Sequence, residues 1–256
     1  MLGKNRISTI QKLHQKKFRM QENLFIAEGS KIVPEILQSD LDPVQIIATT
    51  AWIEKNADIL QNQVVEVALP QDLEKISTLS TAPEVLAICN IPKETVPEYS
   101  PGSFVLLLDA IRDPGNLGTI IRLADWFGVS AIVASPDCVE WTNPKVIQAT
   151  MGSFIRIRPQ YFDLKEYIEC LPEECPVVAA DLEGENLFTS NFSPEGSLVL
   201  SSESHGLSAY LETLINLKLH IPRGLESSGQ TESLNVATAA AIFLGEFTRR
   251  RAFSSH

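Results

Sequence analysis

The sequence lacks the features that mark membrane, secreted and metal-binding proteins. No apolar run approaches the roughly 18 residues that a membrane-spanning helix needs. Residues 1–6 lack the apolar core of a signal peptide. The four cysteines are scattered, and no Cys/His cluster with zinc spacing accompanies them. We therefore expect a cytoplasmic protein that keeps its thiols reduced, needs no metal and does not contact a membrane.

The sequence also lacks the glycine-rich loops of the common nucleotide-binding folds. It contains neither the G-x-G-x-x-G order of a dinucleotide site nor the G-x-x-x-x-G-K-[ST] order of a phosphate loop. Each of these loops lets the backbone approach a phosphate closely, so their absence disfavours a nicotinamide-dependent enzyme and an ATPase.

Basic residues are scarce, 21 against 32 acidic ones, which gives a net charge of −11. Their distribution is uneven, because residues 1–31 carry seven basic and two acidic side chains whereas the remainder carries 14 and 30. Exposed charges are screened over roughly 8 Å at physiological salt, so the local sign matters more than the total. The basic N-terminal region is compatible with a solvated helix face and with a surface for nucleic-acid phosphates.

The first 95 residues show the pattern of a small α/β domain. Apolar positions among the basic residues predict an amphipathic helix over residues 5–20. Short strands are predicted at residues 23–29, 44–48, 64–67 and 85–89, with helices at 31–38, 52–61 and 73–77. Three prolines and a glycine near residues 96–103 mark that stretch as a linker.

The remaining residues, 104–256, predict a larger α/β domain. Phe104–Leu108 is a near-continuous apolar run, which is typical of a parallel strand covered on both faces. Similar runs follow at residues 131–134, 154–157, 177–180, 198–200 and 217–221, with helices predicted at 117–127, 144–151, 164–170 and in the Ala-rich stretch from 236. This alternation predicts a doubly wound parallel sheet.

Three polar loops follow strands of this domain, where parallel α/β sheets bind their ligands. The first contains Asn116-Leu117-Gly118 and, four residues on, Arg122. The second is the stretch 201–208. The third runs from Ile221 to Ser233-Leu234-Asn235, at the start of the Ala-rich helix. Together they form a candidate site.

Each polar residue of these loops also has a purely structural interpretation. Asn116, Ser233 and Asn235 are residue types that cap helices. Arg122 lies in an otherwise apolar helix and could form an ion pair with Asp125 or Glu203. Glu203 could also be a solvated loop charge. The sequence of each loop alone leaves these alternatives open.

The three loops together resemble the SpoU/TrmH branch of the SPOUT superfamily, which are S-adenosylmethionine-dependent RNA ribose 2′-O-methyltransferases. The resemblance rests on Asn-Leu-Gly-x-x-x-Arg, Glu-x-x-Gly-Leu, Ile-Pro and Ser-Leu-Asn-Val in this order, and covers about residues 104–250. It implies a C-terminal trefoil knot, a homodimer and S-adenosyl-L-methionine as cofactor. Residues 1–95 are similar to the L30e-like substrate-binding domain that many ribosomal-RNA members carry.

The resemblance also implies the site residues. The implied catalytic residues are Asn116, Arg122, Glu203, Ser233 and Asn235, and the implied cofactor-binding residues are Leu200, Ser201, Ser202, Glu203, Gly206, Ile221 and Leu234. The second loop departs from the family pattern, because Gly-Asn-Glu-Gly-x-Gly is here Ser-Ser-Glu-Ser-His-Gly. Serine lacks the freedom of glycine at positive φ, so a different loop shape is expected.

The implied function is methyl transfer to a ribose 2′-hydroxyl of structured RNA, with ribosomal RNA favoured over transfer RNA by the N-terminal domain. RNA is expected to contact the basic N-terminal region and Arg122, whose guanidinium suits a clamp on the reacting oxygen better than a base. A dimer is expected to use Arg122 and the Ala-rich helix, with its Phe243 and Phe247. Three alternatives remain: a transfer-RNA methyltransferase, an RNA-binding protein that has lost methyl transfer, and an unrelated small-molecule enzyme.

Overall fold

The computed structural model describes residues 2–41, 43–61, 63–202, 206–224 and 232–253. The chain divides into two compact units, Met1–Lys93 with Glu140–Ile155, and Glu94–Val139 with Arg156–His256. The first boundary lies close to the one drawn from the sequence, but residues 140–155 belong to the first unit rather than to a contiguous second domain. The assignment of substrate binding and catalysis to separate domains stays a prediction.

The elements alternate between helix and strand through most of the chain. In chain order they are α1 (Lys4–Lys12), α2 (Lys16–Glu22), β1 (Leu24–Glu28), α3 (Ile32–Leu37), β2 (Pro43–Ala48), α4 (Thr50–Lys55), β3 (Val65–Val67), α5 (Pro70–Ile76), β4 (Val85–Asn90), β5 (Phe104–Asp109), α6 (Pro114–Trp126), β6 (Ala131–Ala134), α7 (Pro144–Thr150), β7 (Gln160–Tyr161), α8 (Leu164–Glu169), β8 (Val177–Asn186), β9 (Gly196–Ser201), β10 (Leu217–His220) and α9 (Val236–Phe253). Within the described ranges no helix is both long and apolar enough to cross a bilayer.

The first unit is built on a four-stranded sheet in the order β1-β4-β2-β3. Strand β4 pairs antiparallel with both β1 and β2, and β2 pairs parallel with β3. Ile10 of α1, Leu13 directly after it and Leu73 of α5 form a buried cluster against Ile47 and Leu86 of the sheet. The predicted small α/β domain is therefore present.

The single helix predicted over residues 5–20 is wrong, because the chain breaks into α1 and α2 around a buried arginine. Arg19 is 1% exposed, and its Nη1 donates to the carbonyl oxygens of Leu13 at 3.0 Å and His14 at 2.8 Å. Its Nη2 donates to the carboxylate of Glu140. Leu13 and His14 lie between α1 and α2, so their carbonyl oxygens are available to accept these hydrogen bonds.

The segment 140–155 completes the aromatic core of the first unit. The Phe25 ring lies 5.0 Å from that of Trp141 and 6.1 Å from that of Phe154, and the rings of Trp141 and Phe154 stack at 5.8 Å. The strand predicted at residues 154–157 is wrong, since Ser153–Ile155 forms a 3-10 turn. Its apolar residues reflect burial among aromatic rings rather than an extended backbone.

Replacing Glu140 with alanine is expected to lower the free energy of unfolding by about 3–5 kcal/mol, because it leaves the buried Arg19 guanidinium without a counter-charge. Burial lowers the pKa of Arg19, and Glu140 opposes that shift. Urea unfolding of the full chain measures the change. Lys16→Ala is the matched control, since Lys16 contacts the same carboxylate at 3.5 Å but is 61% exposed. Its removal is expected to cost less than about 1 kcal/mol, and equal effects of the two substitutions would contradict the assignment.

The second unit contains a six-stranded sheet in the order β10-β8-β9-β5-β6-β7, and its pairings are all parallel. On one face Val105 and Leu107 of β5 join a buried cluster with Tyr167 of α8. On the opposite face the Phe104 ring lies 4.7 Å from that of Phe247 in α9. The predicted parallel sheet with helices on both faces is confirmed, whereas the trefoil knot stays a prediction.

Helix α9 is anchored within the second unit. Phe243 and Phe247 are 2% and 1% exposed, so the expectation that they offer a surface to a second copy is wrong. Hydrogen bonds from Arg249 and Arg250 lower the pKa of Glu246 to about 2. Arg250 also donates to the backbone carbonyl oxygens of Ser190 and Leu187. These contacts fix the end of the helix whose beginning lines the candidate site.

Candidate active site

A cleft of about 610 Å³ opens in the second unit beside the ends of β9 and β10 and the start of α9. It is lined by residues of four segments: Ala180–Glu183 of β8, Leu200–Ser202 with Gly206 and Leu207 after β9, Ile221–Gly224 after β10, and Glu232–Leu234 with Val236, Ala239 and Phe243 of α9. This is the carboxyl edge of the parallel sheet, where the loop positions predicted a ligand site.

A bulge in β8 supplies one wall of the cleft. Lys218 of β10 pairs with Ala179, but the next residue, Leu219, pairs with Glu185, so residues 180–184 leave the ladder. The bulge ends where β8 touches β10, because a Cβ at Gly184 would lie 2.4 Å from the carbonyl carbon and oxygen of Lys218. Only glycine fits this approach, and the bulge turns Asp181 and its neighbours toward the cleft.

Asp181 is held as a carboxylate at the edge of the cleft. Burial opposes its charge, but the backbone N–H of Glu183 and the Lys218 ammonium outweigh burial and keep the pKa of Asp181 below its usual range. Lys218 Nζ lies 3.0 Å from Asp181 and 2.7 Å from Glu212. Glu183 and Glu232 also line the cleft, together with Arg223. The polar wall therefore carries more negative than positive charge.

The cofactor-binding residues predicted from the sequence lie together in this cleft, wherever the structure describes them. Leu200, Ser201, Ser202, Gly206, Ile221 and Leu234 all line it. Glu203 lies outside the described residues. Among the described residues other than glycine, positive φ occurs at Asn23, Ala110 and Met151, so Ser201 and Ser202 stand in ordinary backbone conformations. Gly206 has φ of 66°, which glycine adopts freely.

Asn116 and Asn235 meet at the start of α6 and α9. Asn235 Nδ2 donates to Asn116 Oδ1 at 2.8 Å, while Asn235 Oδ1 accepts from the backbone N–H groups of Ala237 and Thr238. Asn235 is therefore a helix cap and a partner of Asn116 at once. Asn116 does not cap α6, because Asp113 does so by accepting from the Asn116 N–H. Ser233 is exposed and lines the cleft.

Arg122 lies on the exposed face of α6, two turns beyond Asn116. Within the described ranges its side chain makes no hydrogen bond or ion pair. The predicted alternative of an ion pair with Asp125 is wrong, since Asp125 pairs with Arg156 at 2.8 Å. Trp126, one turn further along the same face, is 82% exposed. The Arg122 guanidinium therefore faces solvent, and none of the residues that the structure describes pairs with it.

Asp109 is a polar residue of the site region whose role the sequence did not reveal. It is 1% exposed at the end of β5, and its carboxylate accepts from the backbone N–H and the hydroxyl of Ser208. Its carbonyl oxygen accepts from the Ser202 N–H at 3.2 Å. The sequence did contain a signal for this residue, because Asp109 is a charged residue directly after the apolar run Phe104–Leu108.

A parallel α/β sheet with a ligand-sized cleft at its carboxyl edge defines a ligand-binding domain of the kind found in many α/β enzymes. Two family models narrow this class. The SpoU rRNA Methylase family model matches residues 103–245, and the MRM3-like substrate binding domain model matches residues 4–87. Among the described residues there is no group of three or more His, Cys, Asp or Glu side chains arranged to hold a metal.

Similar proteins extend over nearly the whole chain. The 23S rRNA (guanosine(2553)-2′-O)-methyltransferase RlmP of Bacillus subtilis (strain 168) is 31% identical over 236 residues, which are 91% of this chain and 92% of that protein. A TrmH-family structure from Porphyromonas gingivalis is 35% identical, with a TM-score of 0.83 over 98% of this chain and 99% of that one. An AdoMet-bound rRNA methyltransferase from Sinorhizobium meliloti is 27% identical, with a TM-score of 0.87 over 99% and 97%.

The chain belongs to the SpoU rRNA methylase family. The resemblance inferred from the three loop motifs is thereby confirmed, and an unrelated small-molecule enzyme is excluded. The roles of the individual site residues stay predictions.

Two substitutions at Asn235 test its capping role. Asn235→Ala is expected to lower the free energy of unfolding by about 0.5–2 kcal/mol, because the N–H groups of Ala237 and Thr238 are left without their acceptor. Asn235→Asp keeps that acceptor and adds a charge favourable at a helix start, so wild-type stability is expected. Thermal melting measures both. Asn116→Ala removes the Asn116–Asn235 bond without touching the cap, and should leave the melting temperature nearly unchanged. A decrease as large as that of Asn235→Ala would refute the capping assignment.

Proposed function

We propose that this protein is an S-adenosylmethionine-dependent RNA ribose 2′-O-methyltransferase that acts on ribosomal RNA. The observation that carries the proposal is the convergence of the described cofactor residues on one cleft, with the Asn116–Asn235 pair beside it. Relatives named as 23S rRNA 2′-O-methyltransferases favour ribosomal over transfer RNA.

The residues of the cleft fit this cofactor. Its volume of about 610 Å³ falls within the roughly 300–1,000 Å³ of small-molecule sites. Leu200, Ile221 and Leu234 offer apolar surface for an aromatic ring, and Ser201 and Ser202 bring backbone and hydroxyl groups to the rim. The excess of carboxylates suits a ligand that carries a sulfonium and an ammonium group. When bound, S-adenosylmethionine supplies an electrophilic methyl group.

The other residues of the site act on the RNA. A ribose 2′-hydroxyl must be aligned beside the cleft, and the negative charge that develops as it loses its proton must be stabilised. Arg122 has five N–H donors on a planar group and binds the 2′-oxygen or the adjacent phosphate. Asn116 and Asn235, fixed by their mutual hydrogen bond, hold the ribose, and Ser233 faces the same cleft.

Arg122→Ala is expected to lower the single-turnover methyl-transfer rate by about 10²–10³, the decrease typical of removing one transition-state donor. Lysine should restore little, because it is a point charge without a planar fork. Cofactor affinity measured by calorimetry should be unchanged. Because the side chain is exposed and without a described partner, stability should change by less than about 0.5 kcal/mol.

Thermal melting of the same variant separates catalysis from stability. A large fall in melting temperature with a normal rate per folded molecule would assign Arg122 to the scaffold. Calorimetry on the wild-type protein tests the remaining alternative. If it binds no S-adenosylmethionine at millimolar concentration, the protein is an RNA-binding member of the family that has lost methyl transfer.

The RNA-binding surface of the first unit centres on Lys12, Lys17 and Phe18. The ammonium groups of Lys12 and Lys17 lie 5.7 and 5.9 Å from the centre of the Phe18 ring, and both lysines are exposed. Arg19, counted among the basic residues of the sequence, is buried and paired, so it does not contribute. Two cations beside an aromatic ring suit a phosphate backbone with an unstacked base.

Lys12→Gln with Lys17→Gln is expected to weaken RNA binding and to reduce the slope of log affinity against log salt by about 0.7–0.9 for each phosphate that the protein no longer neutralises. Lys55→Gln, an exposed lysine at the end of α4, is the matched control and should have no effect. Filter binding to ribosomal RNA across a salt series measures both. An unchanged slope in the double variant would place the RNA elsewhere.

Deleting residues 1–95 is not a suitable test of RNA binding. It would also remove Phe25 from the aromatic core around Trp141 and Phe154.

A homodimer and a cytoplasmic location complete the proposal. The exposed face of α6, with Arg122 and Trp126, supports a partner surface on this helix. The buried Phe243 and Phe247 do not contribute to it.

A further inference from the structure

We propose that Asp109 is a positioning residue for the cofactor: it fixes the loop after β9 and so sets cofactor affinity, although it does not line the cleft. The inference rests on the proposed function of that cleft. The loop is described at Ser201–Ser202 and at Gly206–Ser208, on either side of residues outside the described ranges.

Both described ends of the loop are bound to this one residue. Asp109 pairs with Ser201 at the end of the β5–β9 ladder, and its carbonyl oxygen accepts from the Ser202 N–H. At the other end, the Ser208 N–H donates to Asp109 Oδ2 at 2.8 Å and the Ser208 hydroxyl donates to Oδ1 at 2.9 Å. The Gly206 N–H also donates to the Ser202 carbonyl oxygen at 2.9 Å. The two described ends of the loop are therefore held close to each other and to Asp109.

Because Asp109 is buried, its hydrogen bonds to Ser208 are needed to offset the cost of burying its charge. A buried carboxylate is costly unless hydrogen bonds satisfy it, and here both oxygens are used by a single serine 99 residues away in the chain. Ser202, Gly206 and Leu207, which the bonds hold in place, all line the cleft. Affinity for a ligand is higher when the binding loop is already ordered. Breaking the Asp109–Ser208 hydrogen bonds should therefore weaken cofactor binding without removing any group that touches the cofactor.

The same residue connects the cofactor loop to the first polar loop. The chain turns directly after Asp109 through Ala110, which has φ of 54°, and the Ala110 N–H donates to the Ser135 hydroxyl at 2.9 Å. From there the chain runs to Asp113 and into α6, which carries Asn116. Asp109 thus begins the first polar loop and also binds both described ends of the second.

Asp109→Asn, Ser208→Ala and the double variant test the inference in the full chain, with calorimetric binding of S-adenosylmethionine as the readout. Each single change removes a charge-assisted hydrogen bond and is expected to raise the dissociation constant about tenfold. If Asp109 acts through Ser208, the double variant should bind little more weakly than either single one. In steady-state kinetics the effect should appear mainly as a higher KM for S-adenosylmethionine, with a smaller change in the turnover number.

Asp163→Asn is the control for loss of a carboxylate elsewhere in the second unit, because the exposed Asp163 accepts from the Glu166 N–H at the start of α8. It should leave cofactor affinity unchanged. A purely structural role for Asp109 predicts a lower melting temperature with normal affinity in the folded protein, or fully additive decreases in affinity, and either result overturns the inference. Should Asp109→Asn fail to fold, normal affinity in Ser208→Ala overturns it as well. Wild-type protein that binds no cofactor would instead refute the proposed function.

Discussion

The parallel pairing of β5 with β9 is the constraint on which the candidate site depends. The pairs run in register from Phe104 beside Gly196 to Asp109 beside Ser201. At the start of the ladder Gly196 has φ of 101°, and a Cβ there would lie 2.4 Å from the Pro176 carbonyl oxygen. A slip of one residue would turn Asp109 to the other face of the sheet and away from Ser208. The positions of Ser201 and Ser202 at the cleft, and of the start of the first polar loop, follow from this register.

The elements that the sequence predicted correctly are those in which burial and conformation give the same pattern. Phe104–Leu108 is apolar throughout because both faces of β5 are covered, and the strand observed is Phe104–Asp109. Residues 154–157 gave the same apolar signal, but Phe154 is buried by Phe25 and Trp141 within a 3-10 turn. An apolar run reports burial, and it indicates a strand only where the neighbours form a sheet. The break between α1 and α2 depends on a buried arginine, which periodicity cannot show.

The candidate site was predictable to the extent that it lies at strand ends. Three loops after parallel strands must meet at one edge, and the family resemblance implied Leu200, Ile221 and Leu234 within these segments. All three line the cleft. Asp109 and Gly184 could not be expected in the same way. Their partners, Ser208 and Lys218, are distant in the chain, and only the folded register brings them into contact. Tertiary hydrogen bonds and close backbone contacts thus supply what local pattern leaves out.

The serine-substituted loop shows how such tertiary contacts decide the effect of a substitution. Glycine is needed only where the backbone takes positive φ, and in the described part of the loop that position is Gly206, which is kept. Ser201 belongs to β9 and pairs with Asp109, so a side chain there adds no strain. Serine has fewer unfolded conformations than glycine, so the exchange reduces the entropy lost when the loop is ordered. The bonds from Asp109 to Ser202 and Ser208 act in the same direction, because they hold the two described ends of the loop in place.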